Sequence, residues 1–171
     1  GRPPGPRREG LYRKPTILTN VETLPKLHAI RTHGGKGYAK VGTAHSTGPK
    51  LLSLDSHFAK PGIYEVAMGT PLADVFALAG GFRTKIKAIQ IGGPLGGILP
   101  VSRLDTAFDF DALASEGCML GHGGIVAFDD RTDMRQLARR LLRFGAHESC
   151  GKRVPCRIGL TRALELVEAD A

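Results

Sequence analysis

Residues 50–91 read KLLSLDSHFAKPGIYEVAMGTPLADVFALAGGFRTKIKAIQI, and the periodicity of this stretch decides the fold. Lys50–Leu54 and Gly62–Val66 are short apolar runs of strand length, joined by a loop that contains Lys60-Pro61-Gly62, a turn signal. Pro71–Ala79 then reads as a short helix. Thr70 can cap it, Pro71 suits its first turn, and Gly80-Gly81 stops it. Ile86–Ile91 returns to a strand and runs into the Gly-rich turn GGPLGG at 92–97. Strand, strand, helix, strand predicts a small sheet wrapped on one helix.

Outward from this centre, Asp109–Ser115 has the look of a short helix and Gly124–Phe128 of a further buried strand. Asp133 can cap a helix that carries Met134, Leu137, Ala138, Leu141 and Phe144 on one side, with Arg135, Arg139, Arg140 and Arg143 elsewhere. Gly145 is its expected end. Leu160, Ala163, Leu164 and Val167 mark a second amphipathic helix, so the last third predicts a helical hairpin. Its apolar stripes need cover from the rest of the chain or from further helices. On the other side, residues 1–15 read as loop, because Pro3, Pro4, Pro6 and Pro15 block regular structure. PTILTN, at 15–20, predicts a short buried strand or extended segment. Thr19-Asn20-Val21-Glu22 has the spacing of a capping box, ahead of a helix through Leu24, Leu27, Ala29 and Ile30 that ends near Gly34-Gly35.

The chain has 171 residues, 42% of them hydrophobic and 23% charged, which is the range of an ordinary folded protein. No run is long enough to cross a bilayer and no charged-then-apolar leader opens the sequence. The opening GRPPGPRREG lacks a Met and reads as the interior of a longer protein. The net charge is +8 and gathers in two clusters, Arg2–Lys14 and Arg135–Arg157. With 6% aromatic residues and no Trp, a base-stacking platform is poorly supplied, so solvated faces and a partner surface are preferred to nucleic acid. The three cysteines are an odd number, which argues against a disulfide framework and for a reducing, cytoplasmic setting. Cys118, inside EGCMLGHGGIVAF, reads as a core residue.

Chemistry concentrates in His147-Glu148-Ser149-Cys150-Gly151-Lys152-Arg153-Val154-Pro155-Cys156-Arg157. This loop joins the last two helices and offers two thiols. An iron–sulfur cube needs four converging thiolates, and C-x2-C-x2-C spacing supplies three cheaply in entropy. Here the middle position is Arg153, a cation with donors only. GGPLGG lacks both G-x-G-x-x-G and a Walker lysine, so it reads as a turn rather than a phosphate cradle, and GHGG at 121–124 reads as a close approach of backbones. His122 and His147 read as locally hydrogen-bonded. No triad or carboxylate pair stands out, so no catalytic residue is assigned.

HESCGK-x-x-PCR-x-G resembles the cluster loop of the NADH-binding flavoprotein subunit of respiratory complex I, and of its relatives in NAD-dependent formate dehydrogenases and bidirectional hydrogenases. The resemblance covers nearly the whole chain. KPTILTNVETL is similar to the family's flavin-side segment, PGIYEVAMGTPLADVFALAGG to its soluble-ligand-binding β-grasp domain, and GCMLGHGGIVAFDDRTDM to the link into its cluster-bearing helices. IKAIQIGGPLGGILP and LGHGGIVAFDD look closest to the formate dehydrogenase β-subunit branch. The resemblance implies an α+β protein that is the C-terminal fragment of such a subunit. Residues 1–48 would be the tail of an FMN-binding domain, 49–105 a small β-grasp-like domain, and 106–171 a truncated α-helical 4Fe–4S bundle. It further implies FMN contacts from Asn20 and Thr23, with Thr19 standing where many members have a second Asn. Cys150 and Cys156 match the first and third cluster ligands. Arg153 replaces the second, and the fourth lies beyond the third by more than this chain extends. The complete subunit would use NAD, FMN and a 4Fe–4S cluster beside a ferredoxin-like subunit and a catalytic subunit. The fragment would be inactive alone, with its cluster absent or incomplete. The rival reading is a non-catalytic subunit-docking module that has lost its cluster.

Overall fold

The computed structural model describes residues 4–169, in two compact units, Gly1–Lys40 and Val41–Ala171. In the first unit a 3-10 turn at Leu11–Arg13 precedes helix α1, Thr23–Tyr38. Segment 15–20 takes no regular structure, and Ile17 is 90% exposed. The expected buried strand is not formed. Among the described residues no strand pairs with this segment, and an unpaired apolar run gains neither a ladder nor cover. The capping box is also replaced. The Asn20 side-chain oxygen accepts from the Glu22 N–H at 2.8 Å, while the Glu22 carboxylate turns to Lys26 at 3.4 Å. The helical geometry breaks at Gly34, where the sequence expects the end, and a further turn continues to Tyr38.

The second unit is built on a mixed sheet of five strands in the order β2-β1-β5-β3-β4. The strands are β1 Pro49–Leu54, β2 Gly62–Ala67, β3 Ile86–Ile91, β4 Ile98–Pro100 and β5 Gly124–Asp129. β1 and β2 form an antiparallel hairpin with Leu52 opposite Tyr64. β5 lies parallel to β1 and antiparallel to β3, with Ile89 opposite Ala127. The strand that joins the two halves of the sheet thus comes from residues 124–129, beyond the stretch whose periodicity announces the sheet. β1 buries Leu52 and Leu54 on alternate positions, whereas β3, flanked on both sides, is buried almost throughout.

Helix α2, Leu72–Leu78, contributes Leu72, Val75 and Phe76 to the core, and α3, Phe110–Ser115, contributes Leu113. Phe58, Phe76 and Phe82 form an aromatic trio with centroids 4.8–5.4 Å apart, tying the β1–β2 loop to the C-terminal turn of α2 and the segment that follows it. α2 ends as expected: the Gly81 and Gly80 N–H groups donate to the carbonyls of Phe76 and Ala77, and both glycines have φ of +76°. Its start differs. The Thr70 hydroxyl donates to the Ala67 carbonyl at 2.8 Å instead of accepting from the helix, and Pro71 occupies the cap position. α3 is capped by Asp109, which accepts from the Ala112 N–H at 2.7 Å.

The last third is the expected helical hairpin, α4 Met134–Glu148 and α5 Leu160–Ala169. Gly145 does not end α4. It is buried inside the helix, facing Leu160 across the hairpin, and the helix runs on to Glu148. The architecture is α+β. Among the described residues no helix is long and apolar enough to cross a membrane.

Candidate cofactor sites

The site-bearing loop is positioned by α4. The Asp133 carboxylate accepts from the Arg135 and Gln136 N–H groups at 2.9 and 3.1 Å, fixing the start of the helix. Those two bonds, that to Gln136 first, hold its carboxyl below the usual carboxylate range. At the far end Ser149 leaves helical geometry, and Gly151 turns the chain at φ +71°, where a side chain is disfavoured. The Gly151 N–H donates to the Ser149 hydroxyl at 3.3 Å. From Val154 the chain re-enters helix through a wide π-turn, Pro155–Gly159, and the Arg157 N–H donates to the Arg153 carbonyl at 3.0 Å. Such wide turns are rare, and they occur frequently at functional sites.

Cys150 and Cys156 are both exposed, free thiols on this loop. His147 points outward beside Glu148 at 3.2 Å. Among the described residues no three of His, Cys, Asp or Glu come together as a metal site. Cys118 is elsewhere, in the core at 3% exposure, and burial, then nearby Glu116, pushes its thiol above the ordinary range.

Three features that the sequence did not flag close the hairpin. Arg139 of α4 donates through Nε and Nη2 to the Val167 carbonyl of α5, both at 3.3 Å, satisfying a helix C-terminal acceptor. Arg143 pairs with Glu168 at 2.7 Å. A Cβ added at Gly145 would lie 3.4 Å from both Leu160 methyls and 3.8 Å from a methyl of Leu95, so the GGPLGG turn rests on α4 next to the thiol loop. The readable signal for the last of these was a glycine inside an otherwise strong helical pattern.

Two N–H groups of GGPLGG are engaged by nearby carbonyls. The Gly92 N–H donates to the Gly124 carbonyl at 2.9 Å, the Gly96 N–H to Gly93 at 2.9 Å, and the Gly96 carbonyl accepts from Met119 at 2.6 Å. A Cβ at Gly97 would run into Cys118, and one at Gly93 or Gly124 into the His122 ring. His122 Nδ1 accepts from the Gly124 N–H at 3.0 Å. GGPLGG and GHGG thus meet in a close approach of backbones, as expected at 121–124.

In the first unit Thr19, Asn20 and Thr23 are all exposed at the entrance to α1. The Thr23 N–H donates to the Asn20 carbonyl at 3.0 Å, so the turn brings these two residues together. With its oxygen engaged by Glu22, the Asn20 side chain keeps its NH2 donors for another partner.

Residues 57–99 match the SLBB domain family, and residues 136–170 match the NADH-ubiquinone oxidoreductase-F iron-sulfur binding region. The chain is 42% identical to an F subunit of the NADH-quinone oxidoreductase of Rhizobium meliloti, over 98% of this chain and 41% of that protein. It is 39% identical to the HndC subunit of the NADP-reducing hydrogenase of Solidesulfovibrio fructosivorans, over 98% of this chain and 35% of that protein. The crystal structure of an NAD+-reducing NiFe-hydrogenase in the air-oxidized state matches 98% of this chain and 29% of its own, with a TM-score of 0.77 and 35% identity. The chain therefore spans about two fifths or less of the length of these relatives.

Proposed function

We propose that this chain, which belongs to the family of NADH-quinone oxidoreductase F-type subunits and their hydrogenase counterparts, is part of a flavoprotein subunit passing electrons between NAD(H), FMN and partner redox subunits. The observation that carries the reading is similarity along 98% of the chain, with the thiol-bearing loop inside the matched iron–sulfur region. Residues 1–48 then belong to the FMN side, 49–105 supply most of a β-grasp domain whose sheet is joined by β5 from 124–129, and the α4–α5 hairpin of 106–171 forms the iron–sulfur side. A ferredoxin-like subunit and a catalytic subunit are the natural partners in a complex of this kind, and a reducing cytoplasm its natural setting. The NAD-dependent formate dehydrogenase branch is the one its sequence phrases favour.

The residues at the α1 entrance fit one edge of a flavin site. The free Asn20 NH2 and the Thr23 and Thr19 hydroxyls can hold polar atoms of FMN, but being exposed they bury none of it. The remaining wall must come from elsewhere, and the chain alone should not turn over. Bound FMN would supply the conversion of one hydride's electron pair into two single electrons. The test uses the longer protein. With FMN and NADH it should reduce a one-electron dye, and Asn20→Ala with Thr23→Val should weaken FMN binding by about tenfold, the loss of one to two hydrogen bonds. Absence of any NADH-dependent flavin bleaching in that protein would sink the reading.

The residues at the thiol loop do not fit a four-thiolate cluster. They offer Cys150 and Cys156, with Arg153 at the middle position. That observation favours a second reading, a subunit-docking module without a cluster, which co-purification with a companion subunit in an iron-free state would select.

A further inference from the structure

We infer that the α4–α5 hairpin of this chain folds without an iron–sulfur centre, and that Arg153 bars its loop from seating one. The inference deepens the reading above and rests on it only for the choice of iron and sulfide as probe.

The ligand side of the argument is chemical. A cube held by thiolates needs soft, anionic sulfur at each iron. Arg153 replaces the middle donor of the triplet with a guanidinium, a donor-only group with no lone pair to offer. It reverses the sign of the charge where a thiolate would stand, beside Lys152 and Arg157. Lys152 and Arg153 have no ion-pair partner among the described residues, so nothing draws that charge away from the loop.

The fold side is geometric. Small domains that depend on a metal to fold have too few contacts of their own to close without it. This hairpin has its own. Arg139 bridges to the Val167 carbonyl near the far end of α5, Arg143 pairs with Glu168, and Leu160 faces α4 at Gly145, beside the loop. The contacts thus span the hairpin from its open end to its turn. The loop is shaped by backbone bonds as well, Gly151 to Ser149 and Arg157 to Arg153, and by the Thr161 hydroxyl donating to the Arg157 carbonyl at 3.1 Å. None of these bonds involves a cysteine sulfur.

The experiment takes the chain purified without oxygen in excess chelator. Amides in 136–148 and 160–168 should exchange with solvent slowly, as packed helices do, and Arg139→Ala should speed exchange in 160–168. Incubated with ferrous iron, sulfide and an excess of a small thiol to serve as outside ligand, then desalted, the wild type should hold background iron and no visible thiolate-to-iron absorption. Arg153→Cys should retain several-fold more. The inference is overturned if the hairpin amides are unprotected until iron and sulfide are added. It is equally overturned if Arg139→Ala changes nothing, if the wild type loads as well as Arg153→Cys, or if Arg153→Cys gains nothing. Failure of the electron-transfer reading would appear in the flavin assay and leave each of these results as it stands.

Discussion

Gly145 offers the sharpest test of how the hairpin is packed. A glycine in the middle of a helix costs about 0.8–1.0 kcal/mol relative to Ala, so its presence in α4 asks for a reason. The structure sets a size limit there rather than a need for glycine itself: the position is buried, and an added Cβ would sit 3.4 Å from both Leu160 methyls and 3.8 Å from Leu95. These are van der Waals distances rather than overlaps, and the backbone there is not in the left-handed region. A single methyl is therefore accommodated. Gly145→Ala should stabilise by about 0.5–1 kcal/mol, the helix preference less a little crowding. Gly145→Leu has nowhere to put its branch without displacing Leu160 and should destabilise by about 1–3 kcal/mol. For a unit of this size those values correspond to roughly 2–5 °C upward and 3–15 °C downward in Tm. Thermal and urea unfolding followed by far-UV circular dichroism reads both, with amide exchange in 160–168 as the local reporter. The reasoning fails if Ala destabilises by more than a kilocalorie, or if Leu is as stable as Ala. Either result would mean that α5 does not lie where the geometry puts it.

Further outcomes follow from other parts of the molecule. Phe58→Ala removes the fully buried centre of the aromatic trio and should cost about 3–5 kcal/mol, read from a shifted urea midpoint, against under about 1 kcal/mol for the half-exposed Phe144→Ala. Under native conditions iodoacetamide should label Cys150 and Cys156 but leave Cys118 untouched, since burial both shields that thiol and keeps it protonated; mass spectrometry showing early labelling of Cys118 would contradict the core assignment. Asp133 is held low chiefly by the Gln136 N–H and then that of Arg135, and Asp129 by the Thr132 hydroxyl and then Arg131. A carboxylate whose folded pKa is depressed adds stability that is present above its unfolded value, about 3.9, and is lost as pH falls through the folded one. The urea midpoint should accordingly drop on acidification below about pH 4, and Asp133→Ala should flatten that drop; an unchanged slope in the variant would show that the cap is not the titrating contact.

What the sequence disclosed and what it withheld divide along physical lines. The strands at 49–54, 62–67 and 86–91, α2 with its Gly80-Gly81 stop, and the hairpin stripe of Leu160, Ala163, Leu164 and Val167 were all legible, because each rests on periodicity or on a residue needing positive φ. The position of β5 between β1 and β3 was not, since strand order is settled by long-range packing that leaves no local trace. The caps were legible only where the acceptor had no competitor. Asp133 caps as read, but Asp109, read as the first residue of a helix, is its cap, the Thr70 hydroxyl found the Ala67 carbonyl and Glu22 found Lys26. PTILTN looked like a buried strand because apolar composition reports a wish for cover, and nothing in the described residues grants it. At the thiol loop the residues were readable and the closure was not: the bond from Arg139 to a main-chain carbonyl spans 28 positions and belongs to no motif.

Arg153 separates two inferences that a family match tends to fuse. Identity of 42% spread over nearly the whole chain constrains a backbone, because hundreds of packing contacts must change together before a fold does. It constrains a metal site far less, since a cluster depends on four atoms, and one exchanged side chain removes a donor without disturbing any helix. In this chain the contacts that close the hairpin lie at Arg139, Arg143 and Gly145, away from the sulfurs, so the scaffold does not depend on which side chain stands at 153. Selection for fold and selection for redox chemistry can therefore part company here. The ligand set has to be tested by iron, not by resemblance.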